Sequence, residues 1–103
     1  MATDVRVDDN RDQQRYEAHV GDQMAGFADY QLATDLIVLT HTEVDPAFEG
    51  QGIGGKLARA AMDDVRDRGL QALLICPFMT GWVQRHPDYH DVVYGAPPSK
   101  VTD

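Results

Sequence analysis

Glu49-Gly50-Gln51-Gly52-Ile53-Gly54-Gly55-Lys56 separates two stretches of different hydrophobic period, and the change of period across it decides the fold. Before it, Leu36 to Val44 reads as a strand. Its Leu36-Ile37-Val38-Leu39 run is apolar on both faces, so it is expected to be the most buried strand of its sheet. After it, Ile53, Leu57, Ala61 and Val65, flanked by Ala58 and Met62, recur at spacings of three and four, which marks one face of a helix. Arg59, Asp63, Arg66 and Asp67 supply the polar face. Gly69 stands where a helix end needs a left-handed residue.

Upstream, Val5 to Asp8 and Arg15 to Val20 alternate apolar with polar residues around the turn Asn10-Arg11-Asp12. Val20-Gly21-Asp22-Gln23 and Ala33-Thr34-Asp35 bound a third strand, Met24 to Leu32, so four sequential antiparallel strands are expected. Downstream, Ala72-Leu73-Leu74-Ile75-Cys76 is a short apolar strand, parallel to Leu36–Val44 because a helix lies between them. Phe78 to Arg85 predicts a short helix with Phe78, Trp82 and Val83 turned inward. The expected fold class is α+β: a mixed sheet with an antiparallel four-strand meander, a helix, a parallel fifth strand and a short C-terminal helix. Residues 1–95 are expected to form one domain, and 96–103 a fraying polar tail.

A chain of 103 residues has room for one core. At that size about 60 to 70% of the unfolded surface is buried, so a ligand is expected in an open groove rather than a deep pocket. The net charge of -8 arises from 14 aspartates and three glutamates against two lysines and seven arginines, which makes nucleic acid a poor partner. The acids are spread along the chain, as on a solvated surface; attraction of a cationic amine is the second reading. No apolar window is long enough to span a membrane, and Met1-Ala2-Thr3-Asp4 does not open like a secretory signal. The single cysteine, Cys76, suits a reducing compartment, so cytoplasmic residence is expected. One cysteine and four scattered histidines show no ligand spacing for zinc, and no metal is expected.

Three phosphate sites could be built on the glycine turn. Gly50, Gly52 and Gly55 satisfy GxGxxG, but the acid that holds the ribose about 20 residues on is replaced by Ile75 and Cys76. Gly50, Gly55 and Lys56 fit the P-loop, but Leu57 offers no hydroxyl to magnesium. The third site needs only what is present: successive free amides of Gly50, Gln51, Gly52, Ile53, Gly54 and Gly55 at a helix N-terminus, with Lys56 in reach of a phosphate.

At this point the sequence resembles the GCN5-related N-acetyltransferases, whose signature is Gln or Arg, two residues, Gly, one residue, then Gly or Ala. The match is Glu49-x-x-Gly52-x-Gly54, preceded by Val44-Asp45-Pro46. It resembles more narrowly the small, stand-alone members of that family, through His41-Thr42-Glu43-Val44, Gly50-Gln51-Gly52-Ile53-Gly54, Cys76-Pro77-Phe78 and Arg85-His86-Pro87-x-Tyr89. The resemblance implies an acetyl-CoA-dependent N-acyltransferase. Its pyrophosphate is expected on the amides of the turn, and its pantetheine between splayed strands, paired with backbone near Val44. Glu49 departs from the family pattern, because its charge repels pyrophosphate if it faces the site.

Acyl transfer to an amine needs a base, an oxyanion donor and an acid for the leaving thiolate. The resemblance implies that Cys76 sits at the end of the second cleft strand, as a covalent relay or as a buried strand-end residue. His41 and Glu43 alternate onto one strand face, and either could be the base. Tyr89, at the implied cleft rim, is a candidate acid or a residue packed on Pro87. The acceptor, a small molecule or a protein, is not legible. A CoA-binding or protein-interaction module with little catalysis is the alternative reading.

Overall fold

The computed structural model describes residues 4–95; the tail expected at 96–103 lies outside the described residues. Four antiparallel strands follow one another: β1 (Val5–Asn10), β2 (Arg15–Val20), β3 (Gln23–Ala33) and β4 (Leu36–Val44). A short 3-10 turn, Pro46–Phe48, leads through the glycines into helix α1 (Ile53–Asp67), and β5 (Gln71–Leu74) returns parallel to β4. Helix α2 (Pro77–Gln84) and a second 3-10 turn, Pro87–Val92, close the described chain. The sheet order is β1-β2-β3-β4-β5. No helix among the described residues is long and apolar enough to cross a membrane.

Core side chains lie on the face of the sheet that α1 covers. Tyr16, Ala18, Ala28, Tyr30, Ile37 and Leu39 meet Ile53, Leu57, Ala61, Met62 and Val65. The small alanines of β2 and β3 let the helix lie close, and the flanking tyrosines fill the space beside it. Gly69 ends the helix as its position predicts, at φ +71. Its N-H reaches Arg66 O at 3.0 Å and that of Leu70 reaches Val65 O at 3.1 Å, the paired bonds of a Schellman end.

Three expectations are corrected. β4 is not the most buried strand: Ile37 and Leu39 are buried, whereas β3 buries Ala25, Gly26, Ala28 and Tyr30. Among the described residues no second layer covers the opposite face of the sheet, and Leu36 and Val38 stay half-buried. The fifth strand ends at Leu74, two residues before Cys76, because the N-H groups of Ile75 and Cys76 both turn to the one carbonyl of Leu39, at 3.0 Å each. Phe78 is not core. It is 39% exposed and lies across Gly54, where an added Cβ would come within 2.7 Å of its ring. Met79, Trp82 and Val83 form the inner face of α2 instead, one helical stripe.

Candidate active site

The early end of β5 shapes the site. β4 pairs with β5 only from Leu36 to Leu39, so among the described residues the edge from Thr40 to Val44 has no strand partner on that side. Asp45 donates its N-H to Ala25 O of β3 at 2.8 Å. Strand alternation therefore turns the N-H of Val44 the other way, into the gap. Cys76 stands across that gap, 3% exposed, with its thiol donating to Thr42 Oγ1 at 3.3 Å. Cys76 is also the residue from which α2 begins.

The start of α1 lies beside this strand end: Ile53 Cγ2 and Val44 Cα would both be 3.2 Å from a Cβ at Gly26. Gly50 and Gly52 take positive φ, +85 and +75, and Gly52 is the N-cap with no side-chain cap and no acid in the first turn. Lys56 is the first residue whose N-H is used by the helix, bonding Gly52 O at 3.1 Å. The amides of Ile53, Gly54 and Gly55 are therefore free of helical partners, a site suited to an anion. A groove of about 580 Å³ runs from them along α1 and includes Gln51, Gly52, Gly55, Lys56, Arg59 and Trp82. Glu49 is exposed at the end of the 3-10 turn, beside this groove and not among the residues that line it.

His41 and Glu43 lie on the opposite face of the sheet from Thr42 and Cys76. They touch each other, His41 Nε2 to Glu43 Oε1 at 3.2 Å, and both are exposed. Glu43 borders a small hollow of about 170 Å³ with Met24, Phe27, Asp45 and Pro46. The structure thus gathers two pairs at one strand end: thiol and hydroxyl on the helix side, imidazole and carboxylate on the other.

Tyr89 is elsewhere, buried against the middle of α1. Its hydroxyl donates to Asp63 Oδ1 at 2.6 Å and accepts from Arg59 Nη1 at 3.2 Å. The hydrogen bond to Asp63, then burial, raise its pKa above the ordinary phenol value. His86 stacks on Trp82, with centroids 3.8 Å apart, and donates from Nδ1 to Trp82 O at 2.7 Å. Sequence reasoning missed two residues of the site. Thr42 was legible only as the residue alternating away from His41 and Glu43. Arg59 was legible only as a polar-face residue one turn beyond Lys56.

The family model for GCN5-related N-acetyl-transferases matches residues 15–92. Protein NATD1 of Xenopus tropicalis is 32% identical over 89 residues, covering 84% of this chain and 81% of its own length. The mouse protein of that name is 30% identical over 86 residues, covering 81% and 77%. Among solved structures, a GCN5-like protein from Staphylococcus aureus superposes with a TM-score of 0.69 over 98% of this chain and 97% of its own, at 21% identity. The ribosomal-protein-S18-alanine N-acetyltransferase of Escherichia coli gives 0.55 at 30% identity over 58% of this chain and 39% of its own. The family match runs from β2 through the glycine turn and the gap to the second 3-10 turn, and the chain is an enzyme of the GCN5-related N-acetyltransferase family.

Proposed function

We propose that the protein binds acetyl-CoA from the α1 N-terminus into the gap between β4 and β5, and transfers the acetyl group to an amine. The observation that carries this reading is the β4 edge from Thr40 to Val44, which has no strand partner on the β5 side among the described residues and lies beside a helix N-terminus that no side chain caps. Acetyl-CoA supplies the acetyl group already activated as a thioester. The amides of Gln51, Ile53, Gly54 and Gly55, with Lys56, hold the diphosphate, and Gly50, Gly52 and Gly54, which have no Cβ, let it approach closely. The N-H of Val44 orients the pantetheine or receives the developing oxyanion.

Cys76 is the acyl relay in this reading. Its Sγ bonds to the acetyl carbon as the thioester carbon-sulfur bond breaks, and its proton leaves with the released thiol. The acceptor nitrogen then displaces Sγ, and the proton the amine loses is taken by His41 or Glu43 on the face from which the acceptor arrives, while the Cys76 thiolate is reprotonated from solvent. Action in the cytoplasm belongs to the same reading, since a relay requires the thiol reduced. The E. coli neighbour is named for an alanine of a ribosomal protein, so a protein amine and a small amine are both candidate acceptors.

Mass spectrometry after incubation with acetyl-CoA tests the relay. One added acetyl group is expected on the wild type and none on Cys76→Ala, with transfer lost in the variant. Full transfer by Cys76→Ala would establish direct attack by the amine. A second reading, a CoA-binding module with little turnover, is favoured by Glu49, an acid beside an anion site. Cofactor binding without acetyl transfer to any amine tested would select it.

A further inference from the structure

Gly52, Gly55, Lys56, Arg59, Ala60 and Asp63 form one stripe of α1, and that stripe is the floor of the groove. Only its first turn is accounted for by a diphosphate. Lys56 and Arg59 extend the groove, and among the described lysines and arginines only Arg85 shares their lack of a carboxylate partner. Arg6, Arg11, Arg15, Arg66 and Arg68 each lie against a carboxylate. Lys56 and Arg59, in a chain of net charge -8, face the groove with no ion pair within 4 Å among the described residues.

Arg59 does not lack an acid nearby. Asp63 follows it by four residues, the spacing at which an arginine and an aspartate on a helix pair directly. Tyr89 prevents this. Its hydroxyl sits between them, taking a hydrogen bond from Arg59 at 3.2 Å and giving one to Asp63 at 2.6 Å. Trp82 holds the guanidinium from the other side, with Cζ 5.4 Å from its ring centroid. The guanidinium is therefore oriented and left charged over the groove, while the carboxylate is satisfied by a neutral donor.

We propose that Lys56 and Arg59 form a phosphate-monoester subsite for the 3′-phosphate of CoA, and that Tyr89 positions Arg59 for it. Arg59 lies four residues beyond Gly55, about 6 Å along the axis at 1.5 Å per residue. That span is of the order of the ribose that separates the 5′-diphosphate from the 3′-phosphate. The inference rests on the acetyl-CoA reading above and gives Tyr89 a positioning role in place of acid catalysis.

Titrations of the whole chain with CoA and with 3′-dephospho-CoA, followed by the emission of Trp82, the single tryptophan, test it. The wild type is expected to bind CoA about tenfold more tightly, the worth of one charge-assisted contact. Arg59→Gln, at an exposed position, removes that preference and keeps the affinity for 3′-dephospho-CoA. Tyr89→Phe frees Arg59 to pair with Asp63 and reduces the preference in the same direction. Equal binding of both ligands by the wild type, or a preference that survives Arg59→Gln, overturns the subsite. An unchanged preference in folded Tyr89→Phe overturns the positioning role. Failure of the folded wild type to bind either ligand overturns the acetyl-CoA reading and this inference with it.

Discussion

Tyr16 and Tyr30 stack obliquely, 5.0 Å between ring centres, and each reaches a carboxylate: Tyr16 donates to Asp64 at 2.8 Å and Tyr30 to Asp9 at 2.6 Å. Arg68 closes the cluster by pairing with both acids. Burial, then the hydrogen bond to Asp64, push the Tyr16 phenol far above its ordinary value, and burial with Asp9 pushes Tyr30 up to about 12. Both folded values exceed the unfolded one. Their contribution to stability is therefore fully present below about pH 10 and is lost as pH rises through the folded values. Absorbance titration is expected to show Tyr30 ionising near pH 12 and Tyr16 only with alkaline unfolding. Tyr16→Phe is expected to cost about 1.5 to 3 kcal/mol in denaturant unfolding, the worth of a hydrogen bond to a charged partner. Glu17 behaves in the opposite sense. Burial favours its neutral form, but hydrogen bonds from Arg15, Asn10 and His19 outweigh this and hold its pKa below the usual range. The stability it supplies is present above about pH 4.3 and falls away as pH drops through the folded value. Glu17→Gln is expected to flatten acid unfolding below pH 4.

Two glycines near the site fail for different reasons when a methyl is added. Gly26 of β3 has no unusual φ, but a Cβ there would lie 2.7 Å from Glu43 O and 3.2 Å from Ile53 Cγ2, pressing β4 and the start of α1 apart. Gly52 has open space around it and a φ of +75. Gly26→Ala is expected to cost about 1 to 3 kcal/mol through overpacking and to disturb the Thr40–Val44 edge. Gly52→Ala costs about 1 to 2 kcal/mol through backbone conformation. Thermal unfolding separates them from wild type, and amide exchange at Asp45, whose N-H bonds Ala25 O, separates them from each other. The same contrast marks what the sequence could reveal. Gly69 and Gly52 were legible because a turn or a helix end is a local demand on φ. The end of β5 was not, since it depends on how Leu39 O is shared between two residues far along the chain. Phe78 was misjudged for the same reason: its helical spacing was correct, but the groove over Gly54 that receives it exists only in the folded molecule.

At the scale of the molecule, one sheet edge divides the chemistry. Cys76 and Thr42 face the helices, His41 and Glu43 face the open side, and the β4 edge lies between them. A cofactor and an acceptor can thus approach one point from two faces without sharing an entrance. The meander, the crossover and the glycine turn were all legible from period and turn chemistry. The pairing of Cys76 with Thr42 and the bridge from Arg59 through Tyr89 to Asp63 were not, because each joins residues from separate elements. The central claim is that the free amides at the start of α1 and the N-H of Val44 receive acetyl-CoA. Backbone amide chemical shifts recorded during titration with acetyl-CoA test it most directly. Saturable shifts at Val44 and at Gln51, Ile53, Gly54 and Gly55, with little change along β1 and β2, are the expected result. A folded protein whose amide spectrum is unmoved at millimolar acetyl-CoA, or whose shifts fall elsewhere, would contradict it.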